Sequence, residues 1–65
     1  MTAAEAEARV QQIRDEANDP ETAHALEDQL HEDVLQAIAL DHPDPAALAK
    51  IALTTRQIRF VRWYA

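Results

Sequence analysis

Two histidines and two acids lie close together in the middle of the chain, inside its strongest helix-forming segment. At about 100° per residue these four residues share one side of a helix; they are His24, Glu27, Asp28 and His31. Asp28 and His31 have the i, i+3 spacing at which a carboxylate and an imidazole bind metal in di-iron bundles. Such a bundle needs a second pair of this kind, and the third histidine, His42, is followed by a proline. A metal-binding helical dimer is therefore an alternative, and we expect no metal or cofactor.

An internal cluster of ion pairs explains the same residues better. Leu35 and Ile38 continue the polar side of this helix, which predicts that another segment covers it, and half-buried charges need partners. Arginines spaced three residues apart near the end of the chain can bind carboxylates through two parallel hydrogen bonds. We therefore predict a structural polar ladder, a row of paired charges that holds a C-terminal tail on the second helix. Its members are His24, Glu27, Asp28, His31, Arg56, Arg59 and Arg62.

Enzymatic chemistry is not expected, since the sequence shows no nucleophile beside a base and, with Gly 0, no glycine-rich phosphate loop. Nucleic-acid binding would use the same arginines, with the aromatic residues Phe60, Trp63 and Tyr64 as stacking groups. Phosphate contacts dominate such binding, so a net charge of −6 works against it. A nucleic-acid-associated regulator is thus an alternative, and nucleic acid is not the expected partner.

The length and composition predict one helical domain, residues 1–65. A chain of 65 residues has a small core, and Cys 0 excludes disulfides and thiolate metal sites. The first residues lack the basic and apolar regions of a secretory signal, and no apolar run reaches the ~20 residues of a membrane span. We therefore expect a cytoplasmic protein. Residues 1–49 hold all 12 acids, whereas residues 50–65 hold four of the six basic residues.

The absence of glycine disfavours tight hairpins and indicates an all-α fold. Thr2 with Glu5 forms a capping-box pattern, and the Asp-Pro pairs that begin at Asp19 and Asp44 each resemble a helix start. We predict a small bundle of three helices, about 2–18, 20–40 and 45–54, with a short helical C-terminal tail that Thr55 caps. The predicted core side of the second helix consists of Leu26, Leu30, Val34 and Ala37.

The first helix carries a narrow stripe of mostly small residues. Its spacing alternates between three and four residues, the pattern of a seam between packed helices, and the residues are Ala3, Ala6, Val10, Ile13 and Ala17. Small residues let helices approach closely, and a chain of this length has little core of its own. We therefore predict that this interaction seam binds a protein partner or a second copy, which makes the chain a small interaction protein.

Residues 19–65 also carry a scattered pattern: Ala23-His24, Glu27-Asp28, Leu30, Asp44-Pro45, Leu48-Ala49, Ala52-Leu53-Thr54, Ile58, Phe60, Arg62-Trp63 and Ala65. In these positions the chain resembles a group of short hypothetical proteins of actinobacteria and their bacteriophages. It departs from them at Tyr64, where a cysteine is expected, and at Arg59, where an acid is expected. The resemblance implies an actinobacterial or phage origin, and a host cytoplasm if a phage encodes the chain. It implies no activity.

Overall fold

Side-chain caps set where each helix begins. The Thr2 hydroxyl accepts a hydrogen bond from the Glu5 N–H at 3.1 Å, and the Asp19 and Asp44 carboxylates cap the next two helices at 3.3 and 3.2 Å. The computed structural model describes residues 1–62. It contains α1 (Ala3–Asp15), α2 (Pro20–Ala39) and α3 (Pro45–Leu53), and a single 3-10 turn, η1 (Thr54–Gln57).

The three helices bury one shared apolar core, to which the segment after η1 adds one residue. Its members are Ala6, Val10, Ile13, Ala23, Leu30, Val34, Leu48, Ala52 and Ile58. Residues 1–62 contain no strand, so the prediction of an all-α bundle of three helices is confirmed. None of the helices in this range is both long and apolar enough to cross a lipid bilayer.

The predicted interaction seam of α1 faces the core of its own chain. Ala6, Val10 and Ile13 are buried there, Ala17 is half-buried, and Ala3 is exposed. Val10 and Ile13 are the only large apolar residues of α1, so the helix can be held in the bundle only by burying them. This side of α1 is therefore not available to a partner, and the structure does not support self-association through it.

The short helical tail predicted after α3 is present as the 3-10 turn η1, but it ends before Ile58. The chain tightens into η1 directly after α3, and Thr55 does not cap a new helix, because its hydroxyl donates to the Ala52 carbonyl at 3.1 Å. Ile58 then takes an extended conformation (φ −81°, ψ 125°) and is buried. Burial of Ile58 leads the backbone away from η1 and across to α2. The spacing of three residues between the arginines therefore does not place them on one helix side.

The connection between α2 and α3 is made without glycine. Asp41 has a φ of 64°, a left-handed conformation that aspartate tolerates better than most residues. The His42 ring then accepts from the Asp44 N–H at 3.0 Å, and its Nε2 donates to the Met1 carbonyl at 2.7 Å. The third histidine thus ties the loop to the start of the chain.

Candidate functional site

A buried carboxylate on α2 holds the C-terminal segment. The Glu27 side chain is 6% exposed, and Arg62 donates to it through Nε at 2.8 Å and Nη2 at 3.0 Å. The same Nη2 donates to the carbonyls of Thr55 at 3.0 Å and Ile58 at 3.1 Å. The guanidinium also lies over the Phe60 ring, 3.7 Å from its centroid. One arginine therefore neutralises the buried acid and closes residues 55–62 into a loop.

The electrostatics of this pair favour the charged state of both groups. Burial raises the pKa of Glu27, but the hydrogen bonds and the positive charge of the Arg62 guanidinium outweigh it, so the pKa lies below its ordinary value. The hydrogen bond with Glu27 in turn raises the pKa of Arg62. Both groups are charged at neutral pH.

His31, one helical turn after Glu27, joins α2 to the end of α3. Its Nε2 lies 2.9 Å from the Thr55 hydroxyl and 3.1 Å from the Ala52 carbonyl. A carbonyl oxygen can only accept, so Nε2 carries the hydrogen and donates. Thr55, which is fully buried, thus contacts the histidine through its hydroxyl and Arg62 through its carbonyl. Sequence reasoning missed this role of Thr55, since its position before Arg56 pointed to a helix cap.

The other residues of the predicted ladder lie apart from this cluster. His24 pairs with Asp28 at 3.4 Å, and 69% of the Asp28 side chain is exposed. Arg56 and Arg59 are exposed and form no ion pair with any of residues 1–62. The chain leaves the helical conformation at Ile58, which turns Arg62 toward Glu27 and leaves the other two arginines in solvent.

Metal binding and nucleic-acid binding, the two alternatives, depend on residues that are placed apart from one another or bound within the chain. Within residues 1–62, no group of three or more His, Cys, Asp or Glu side chains is placed to hold a metal ion. Arg62 is bound to Glu27 and covers Phe60, so these two do not extend a basic and aromatic surface with Arg56 and Arg59. Trp63 and Tyr64, the other predicted stacking groups, lie outside the described residues.

An apolar groove lies beside the cluster, between α2 and α3. It encloses about 260 Å³ and is lined by His31, Val34, Leu35, Ile38, Ala49, Ala52 and Leu53. Leu35 is 67% exposed and Leu53 is 54% exposed, so no segment within residues 1–62 covers Leu35 as predicted. Alanines at 49 and 52 leave the space between the two helices open. Small residues at these positions are visible in the sequence, but only the packing of the helices shows that they line a groove.

Comparison of the chain with models of protein families, with curated proteins and with solved structures finds no match. Its function is therefore inferred from its own geometry.

Proposed function

We propose that the chain is a small helical interaction protein, without enzymatic activity of its own, that binds an amphipathic helix of another protein in the groove between α2 and α3. The observation that carries this proposal is the open groove with Leu35 and Leu53 exposed at its edges. Exposed large apolar side chains that border one concave surface are typical of protein-binding sites.

The dimensions of the groove suit a short helix. Its α2 wall extends from His31 to Ile38, which is about 10 Å, or two helical turns. Helices that bind in grooves use apolar residues at i, i+3 or i+4, and i+7, which span the same two turns. Both walls are themselves helices, and His31 bonds one to the other at 2.9 to 3.1 Å. The groove is thus formed before its partner arrives, which lowers the entropic cost of binding.

The charge of the chain indicates a basic partner. The net charge is −6, and of the six basic residues Arg9 and Arg62 are engaged by Asp33 and Glu27 within the chain. Exposed Asp28 and Glu32 precede Leu35 by seven and three residues, which places both beside Leu35 at the outer edge of the groove. Complementary charge speeds association and selects among partners. A helix with an apolar side and flanking lysines or arginines fits both features.

The proposal includes the cytoplasm as the place of action, in an actinobacterium or in the host of a phage. This origin rests on the resemblance described for residues 19–65.

Titration with a designed peptide tests the proposal. The probe, the basic peptide, is a 14-residue helix with leucines at i, i+4 and i+7 and lysines on both flanks, and its control carries glutamates in place of the lysines. We expect saturable 1:1 binding of the basic peptide by calorimetry and much weaker binding of the acidic one. Leu35→Asn should weaken binding about tenfold to a hundredfold, because burial of a leucine contributes about 1.5–3 kcal/mol.

Leu40 supplies the matched control, since it is 76% exposed but does not line the groove. Leu40→Asn should leave the affinity unchanged. Equal effects of the two substitutions, or no saturable binding, would contradict the proposal. Sedimentation of the chain alone adds a further check, because a dimer that Leu35→Asn dissociates would show that a second copy occupies the groove and would overturn the choice of partner.

A further inference from the structure

The two edges of the groove carry charges of opposite sign. On both α2 and α3, an exposed charged residue precedes the exposed leucine of the groove by three positions: Glu32 precedes Leu35, and Lys50 precedes Leu53. Residues at i and i+3 lie on neighbouring parts of one helix side. We infer that the groove recognises a helix with cations along one flank and an acid along the other. This inference rests on the proposed function and specifies its partner further.

The α2 edge is acidic over two turns. Asp28 lies seven residues before Leu35 and Glu32 lies three before it. Asp28 pairs with His24 at 3.4 Å, but its side chain is 69% exposed, so its carboxylate remains accessible to a ligand. Glu32 has no ion-pair partner among residues 1–62. This edge therefore offers two carboxylates to a basic flank.

The α3 edge presents a single cation. Lys50 is the only charged residue of α3, it is exposed, and no carboxylate among residues 1–62 pairs with it. Its side chain can therefore bind a ligand without first breaking an ion pair within residues 1–62. An acid on the facing flank of a bound helix would gain an ion pair there, whereas a lysine would meet a like charge.

This arrangement fixes the direction of the ligand as well as its composition. A helix lying in the groove presents one flank to each edge, and turning the helix end for end exchanges the flanks. A helix with the same charge on both flanks therefore meets a like charge at one edge of the groove in either direction. A helix with one basic and one acidic flank meets opposite charges at both edges, but only in one of the two directions.

Charge reversal at Lys50 provides the test. The probe, the mixed peptide, has the same leucines as the basic peptide, lysines on one flank and glutamates on the other. Lys50→Glu should weaken binding of the mixed peptide roughly threefold to tenfold, as loss of one exposed ion pair and gain of a like charge do. The basic peptide should bind Lys50→Glu more tightly than it binds the original chain. The difference should shrink in 0.5 M NaCl through screening.

Arg56→Glu is the matched control, because it makes the same change of charge at an exposed residue that does not line the groove. It should leave the affinity for the mixed peptide within about twofold. If Lys50→Glu and Arg56→Glu act alike while Leu35→Asn still weakens binding, the inference is wrong and the proposed function stands. If neither peptide binds the folded chain, the proposed function itself fails.

Discussion

Replacement of Arg62 by methionine tests whether the pair with Glu27 holds the C-terminal segment. Methionine keeps an unbranched apolar stem but leaves a carboxylate that is 6% exposed without its cation. Removal of one partner from a buried pair costs about 3–5 kcal/mol. The Arg62 side chain is 33% exposed, so water can partly replace it, and we expect a loss of about 2–3 kcal/mol. A domain of this length has about 3–10 kcal/mol of unfolding free energy.

The pH dependence separates this mechanism from a loss of packing. In the original chain, the pKa of Glu27 is lowered, so its contribution to stability is present above the unfolded pKa of about 4.3 and is lost as pH falls through the folded value. In Arg62→Met, burial of Glu27 would act with much less opposition and raise its pKa, so that ionisation disfavours the fold at neutral pH. The difference in unfolding free energy should therefore be largest near neutral pH and shrink in acid.

Urea unfolding followed by circular dichroism at pH 7 and at pH 4 measures both effects. Arg59→Met is the control, because Arg59 is exposed and forms no ion pair with residues 1–62. It should change the unfolding free energy by less than about 0.5 kcal/mol. An Arg62→Met loss that equals that of Arg59→Met, or that stays constant between the two pH values, would refute the role assigned to the pair.

Three further substitutions test other parts of the structure. Thr55→Val keeps the side-chain volume and removes one hydrogen-bond partner of His31, which retains the Ala52 carbonyl. It should therefore lower the unfolding free energy in urea by about 0.5–1.5 kcal/mol; a neutral effect would show that the hydroxyl is dispensable. Val10→Asp should abolish the helical dichroism signal at every protein concentration, since Val10 lies in the core of its own chain. A variant that stays folded and only loses self-association would instead show that the seam is an interface. Asp33→Asn should make stability less sensitive to acid between pH 5 and 3, because Arg9 lowers the pKa of Asp33 and this contribution is lost as pH falls; an unchanged acid profile would count against that ion pair.

Local signals predicted the helices well because they act within a few residues. The caps at Thr2, Asp19 and Asp44 each bond to a backbone N–H three residues later, so no distant contact is needed to read them. The predicted ends were less accurate. The first helix was expected to reach residue 18, but α1 ends at Asp15. Apolar spacing continued to Ala17, while the backbone had already turned toward the start of α2.

Features that depend on how the helices pack could not be predicted from spacing. The buried side of α2 includes Ala23 and Glu27, whereas Leu26 and Ala37 of the predicted stripe are only half-buried. The stripe was displaced because a carboxylate counts as polar in any periodic pattern, although Arg62 makes its burial possible. The identity of that arginine, out of three candidates, depends on the extended backbone of Ile58.

The most direct test of the proposed binding groove is an NMR titration of the ¹⁵N-labelled chain with the basic peptide. We predict saturable amide shifts along the groove, at His31, Leu35, Ile38, Ala49 and Leu53, with the amides of α1 unchanged. Shifts confined to α1, or the absence of saturable shifts at any ratio of peptide to protein, would contradict a binding site between α2 and α3.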